Sequence, residues 1–146
     1  MQFEIKFESK VNPTIYREFS EFIFSHMKKA VSFQVRKNYK KYKLRENLIL
    51  SSPLIKWKRE VVPSSIDLAY YVENCLELVN VKGVYVIRLN EFWLVRGSLT
   101  RVKTLVRILE FGTLKIPPLP VVSRIFRFYS KNYKNLFTEF VKEKVL

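Results

Sequence analysis

Val122, Ile125, Phe126, Tyr129, Tyr133, Leu136, Phe137 and Phe140 recur at steps of three and four residues. That period puts them on one side of a helix, predicted over 121–144. A second stripe lies at the other end of the chain. Ile15, Phe19, Phe22, Ile23, Met27, Ala30 and Val31 share a helical face, and the spacing predicts a helix over 13–36. Asn12 can cap it and Pro13 fits its first turn. Phe3, Ile5 and Phe7 alternate with Glu4, Lys6 and Glu8 ahead of it, which is the period of a half-buried strand. The expected fold class is α+β: one small domain, 1–146, with the first and last helices packed on a short antiparallel sheet.

The middle is less regular. Leu68, Val72, Cys75, Leu76 and Val79 predict a helix over 65–79, with Ser64 and Asp67 at its start. VKGVYVIRL reads as a strand, Asn90-Glu91 as a turn, and FWLV as the strand returning from it. Leu99, Val102, Leu105, Val106 and Leu109 follow helical spacing with Ser98 as cap, although a strand fits part of 99–110 equally. Leu48 to Leu50 is a short apolar run, and Pro53 argues against a helix through the middle of this segment, so a loop with a short strand or helical turn is expected there.

The formal net charge of +14 is concentrated in two blocks. From Lys28 to Arg59 there are eleven Lys/Arg against one acid, Glu46; from Arg96 to Lys134 there are nine against Glu110. Such a chain repels itself unless it meets a polyanion or an acidic partner. The tract Arg36, Lys37, Tyr39, Lys40, Lys41, Tyr42, Lys43 and Arg45 is the candidate nucleic-acid contact. Its lysines would hold phosphates and its tyrosines would stack on bases. Segment 36–47 either continues the first helix or leaves it as a mobile arm.

Catalytic material is sparse. One histidine, His26, and one cysteine, Cys75, give too few soft ligands for zinc. The glycines stand at 83, 97 and 112, far from any phosphate-wrapping pattern. Asp67, Glu73, Glu77 and Glu91 are scattered, and solvated roles suit them better than a metal-dependent nuclease. No enzyme, metal or cofactor is expected. No apolar run approaches a bilayer span, so no membrane partner is expected either.

LEFGTLKIPPLPVV, Leu109 to Val122, forces a stiff corner between the last two helical segments. Gly112 can take positive φ, Thr113 can bond to the turning backbone, and Pro117, Pro118 and Pro120 hold the next stretch extended. On this reading Ile116 and Leu119 are presented between the prolines, and Glu110 pairs with Arg107 or with a base on a neighbouring subunit; the corner suits a subunit interface or, equally, a well-ordered turn inside a monomer. Residues 106–129 resemble a stretch of the tail-completion and head–tail joining proteins of tailed bacteriophages. Glu110, Phe111, Gly112 and Thr113 match the family's Glu-Phe-Gly-Thr phrase, and the three prolines match its proline-rich turn. The opening strand and long first helix also fit.

The resemblance implies a non-enzymatic virion protein of the neck or tail, made in the host cytoplasm. It would form a homo-oligomeric ring, with six subunits as the expected number, alongside neighbouring neck or tail proteins. DNA would pass through without being read by sequence. The expected interface is Glu110, Phe111, Gly112, Thr113, Ile116 and Leu119, with Phe128 and Tyr133 from the broad aromatic face of the last helix. The alternative is a basic protein that contacts nucleic-acid phosphates non-specifically.

Overall fold

The structure, a computed structural model, describes residues 1–51, 68–90, 92–95 and 98–145. Strand β1 is Gln2–Ile5, and helix α1, Pro13–Lys37, follows it. The Asn12 side chain accepts from the Thr14 and Ile15 amides at 2.9 and 3.3 Å, so the helix starts where its cap and proline predict. Phe19, Ile23, Met27, Val31 and Val35, four residues apart, form the buried face of α1. Helix α2, Tyr39–Ser51, begins after a single break at Asn38. The basic tract is therefore helical, and Leu48 belongs to its last turns; the rest of the segment expected as a loop with a short strand or helical turn lies outside the described residues.

Helix α3, Leu68–Asn74, leads through Cys75 into β2, Leu76–Val81, and β3, Val84–Leu89. The predicted helix over 65–79 is thus corrected: it ends at Asn74, and Leu76 and Val79 lie on a strand. The predicted cap residues Ser64 and Asp67 lie outside the described residues. The helical spacing of Leu68, Val72 and Cys75 continues by coincidence into Leu76 and Val79. Pairing along the whole of β3, from Leu76–Leu89 to Val81–Val84, overrides it. VKGV is accordingly a hairpin, not one strand. Its two loop residues, Lys82 and Gly83, have φ of 51° and 86°, the positive pair that matches the twist of the flanking strands.

β3 is the centre of a β1-β3-β2 antiparallel sheet. The register aligns Phe3 and Leu78 with Ile87, and Ile5 with Tyr85, which sets one apolar face toward the helices. On the opposite face Arg88 meets Glu77 at 2.7 Å. FWLV is a strand, β4 (Phe92–Val95), but it pairs forward with β5, Ser98–Arg101, and not back onto β3. Ser98 is therefore not a cap, and helix α4 occupies Val102–Phe111. Helix α5, Val122–Val145, closes the chain at the predicted place.

The fold is α+β, with α1 and α5 packed on each other and on the sheet. Aromatic rings join them: Phe137 lies 4.3 Å from Phe7 and 5.0 Å from Phe19, and Phe140 lies 5.1 Å from Phe22. Two tyrosines fasten the strand end between the helices. The Tyr16 hydroxyl donates to the Ile5 carbonyl and accepts from the Tyr85 amide, at 2.5 and 2.9 Å. The Tyr133 hydroxyl donates to the Lys6 carbonyl at 2.8 Å. Tyr133 is buried and serves the fold, so it is withdrawn from the expected interface.

Candidate functional site

The corner after α4 is a latch. Glu110 is 4% exposed and its carboxylate reaches the start of α5. Oε1 accepts from the Val121 and Val122 amides at 2.9 and 2.8 Å; Oε2 accepts from the Ser123 amide and hydroxyl at 3.1 and 2.5 Å. A negative charge there satisfies the amides that a helix leaves open at its beginning and complements its dipole. Glu110 therefore turns to α5 rather than to Arg107: it caps the next helix of its own chain.

The loop between is closed as tightly. Gly112 has φ of +70°, and a Cβ built on it would sit 2.5 Å from the Ile116 carbonyl oxygen. The Thr113 amide donates to that carbonyl at 2.9 Å, and the Thr113 hydroxyl accepts from the Ile116 amide at 3.1 Å. The Leu119 amide donates to the Leu109 carbonyl at 2.6 Å. Ile116 is drawn into the core at 1% exposure, and Leu119 is half-buried. The expectation that Ile116 is presented outward is corrected: the loop folds back on itself and needs an apolar anchor. Phe111 and Leu114 point out instead, at 68% and 103% exposure.

The basic tract divides. Lys37, Lys40 and Lys41 are exposed. Arg36 pairs with Glu73 at 3.3 Å, and Lys43 with Glu46 at 3.3 Å while lying over the Tyr39 ring. Tyr39 is open to solvent, but Tyr42 is 1% exposed in the core and cannot stack on a base. Its burial was invisible in a run where lysines surround it on both sides.

Lys41 belongs to a groove of about 590 Å³ between α1, α2 and the start of α5. Gln34, Asn38, Lys41, Arg124, Phe128 and Tyr129 are among its lining residues, with Leu119 and Pro120 at the corner end. The groove thus joins candidates that the sequence kept apart: Lys41 from the basic tract, Leu119 and Phe128 from the expected interface. Arg124, Arg127, Lys131 and Lys134 continue from it along the exposed side of α5. Sequence reading missed this row because it followed the apolar stripe on the other side of the same helix.

Among the described residues, no three of His, Cys, Asp and Glu converge as a metal group would require. Glu73 and Glu77 are each engaged by an arginine; Asp67 and Glu91 lie outside the described residues. His26 is exposed and lies 4.3 Å from the Phe22 ring. Among the described residues no helix is long and apolar enough to cross a membrane.

Cys75 is fully buried, and that burial pushes its thiol from 9.0 up to about 12. The Tyr42 phenol is pushed up by the same cause, with the Glu110 charge adding to it. A buried, protonated thiol is a poor nucleophile. We expect a thiol reagent at pH 8 to leave the folded protein almost unlabelled and to react at once in denaturant. Fast labelling of the folded chain would show that this core opens. The raised value also sets the sign of an alkaline effect. The stability tied to the neutral thiol is whole below pH 9 and is lost as the pH climbs toward 12.

No protein-family model, curated protein or solved structure matches the chain.

Proposed function

We propose that the protein is a non-enzymatic structural subunit of a phage neck or tail, a ring-forming tail-completion or head–tail joining component. The observation that carries this reading is the latch. Glu110, Gly112 and Thr113, three of the four residues behind the resemblance, each have a separate physical task in one closed corner. These three residues thus work together in one corner, which supports reading the phrase as a unit. The fourth, Phe111, together with Leu114, stands out from that rigid base. An apolar tip held by a locked loop loses little freedom on docking, which suits contact with a neighbouring subunit. The expected interface accordingly keeps Phe111, loses the buried Ile116 and gains Leu114.

Light scattering across salt concentrations tests self-association, since salt screens the repulsion between highly basic copies. Imaging of native particles tests recruitment. Phe111→Ser with Leu114→Ser is expected to weaken assembly about tenfold or more while leaving the melting temperature nearly unchanged. Ile116→Ser, by contrast, should lower the melting temperature, because that side chain is core. A protein that stays monomeric in every condition and is missing from particles is no ring subunit.

A further inference from the structure

Helix α5 has two opposite faces. Its core face carries Val122, Phe126 and Tyr133. Arg124, Arg127, Lys131 and Lys134 follow at steps of three, four and three residues and so fall within one arc on the other side. All four are exposed, and among the described residues no carboxylate pairs with any of them. The first acid on the helix is Glu139, beyond the row. Phe128 borders this arc, about one turn after Arg124 and one turn before Lys131. It is 56% exposed, on a helix whose other rings are mostly packed away.

We propose that this face is a docking track for single-stranded nucleic acid, held by its phosphates on the cationic row and by one base laid against Phe128. The row spans roughly 15 Å of helix, a length over which a nucleic-acid strand presents several phosphates. At its start the row opens into the groove, whose lining brings Lys41 together with Arg124, Phe128 and Tyr129. The groove's volume of about 590 Å³ accommodates a base. Gln34 and Asn38 bring amide donors and acceptors to its wall. An acidic protein would satisfy the cations too, but charge pairing alone leaves the open Phe128 ring unused. Repeating charge interleaved with an open aromatic fits a strand whose bases are unpaired. Contacts of this kind do not read sequence.

The track does not depend on ring assembly, because a single copy carries the whole of it. Binding without assembly, or assembly without binding, separates the two readings. The full-length protein is titrated into a fluorescent thymidine 20-mer, its duplex, and heparin as a polyanion without bases, over a series of salt concentrations. We expect the single strand to bind most tightly and its affinity to fall steeply with salt. Replacing Arg124, Arg127, Lys131 and Lys134 together by glutamine should lower the salt slope by about 0.7 for each phosphate that is no longer held. Phe128→Ala should weaken the single strand roughly tenfold and leave heparin unchanged. All five positions are exposed, and circular dichroism melts check that the variants fold. The proposal is overturned by no binding at low salt, by tighter binding of the duplex, or by glutamine variants that bind as the parent does. Equal losses on heparin and oligonucleotide from Phe128→Ala also overturn it.

Discussion

Glu110→Ala is expected to lower the unfolding free energy by about 3 to 5 kcal/mol, a large part of what holds a domain of this size together. Three backbone amides, those of Val121, Val122 and Ser123, end on this one carboxylate. Val121 and Val122 are themselves buried, so water does not readily replace the missing acceptor. Each stranded donor costs about 1 to 3 kcal/mol, and an ordinary helix cap is worth about 1. Glu110→Gln keeps one carbonyl oxygen for the valine amides but turns donors toward Ser123, so an intermediate loss is expected. Urea unfolding followed by circular dichroism measures both. A loss under about 1 kcal/mol from the alanine variant would mean that the cap is dispensable and that the corner is held by its apolar anchors alone.

Gly112→Ala should be nearly as severe, at about 3 to 4 kcal/mol. Two effects add. The left-handed backbone at φ +70° is unfavourable for alanine by about 1 to 2 kcal/mol. The new Cβ would also meet the Ile116 carbonyl oxygen at 2.5 Å and the Pro118 nitrogen at 2.9 Å. Both are backbone atoms in a stiff segment, so the loop has to move as a whole. That movement breaks the Thr113–Ile116 and Leu119–Leu109 bonds and draws Ile116 out of its site. Gly83→Ala provides the comparison. Gly83 also has positive φ, but nothing lies within 4 Å of its Cβ position, so only the backbone penalty applies. Equal losses at the two glycines would refute the close approach at Gly112.

The long helices were legible from residue types alone. A stripe such as Phe19, Ile23, Met27 and Val31 specifies both the period and the face to be buried, and Asn12-Pro13 marks the start. The hairpin at Lys82-Gly83 and the break between β5 and α4 were not legible in the same way. Leu76, Val79 and Leu99 fit a helix and a strand equally well over so few residues, and strand pairing with distant partners made the choice. The cationic row on α5 was present in the spacing of Arg124, Arg127, Lys131 and Lys134, although nothing in that spacing says that no carboxylate among the described residues would pair with them.

Residue types in their local order settled the positions of the two long helices, the pivot at Gly112, the excess of positive charge and the lone buried-type cysteine. These depend on local geometry or on composition, which neighbours cannot change. Long-range packing chose which way the side chains face. It turned Glu110 and Ile116 inward, left Phe111 and Leu114 outside, hid Tyr42 in the core, and brought Lys41 into one groove with Arg124 and Phe128. The physical reason is the same in each case. A carboxylate, an aliphatic side chain or a phenol can sit in water or in the interior. The preference is set by whether folding supplies the amides, the apolar walls or the opposing charges, and those come from residues far away along the chain.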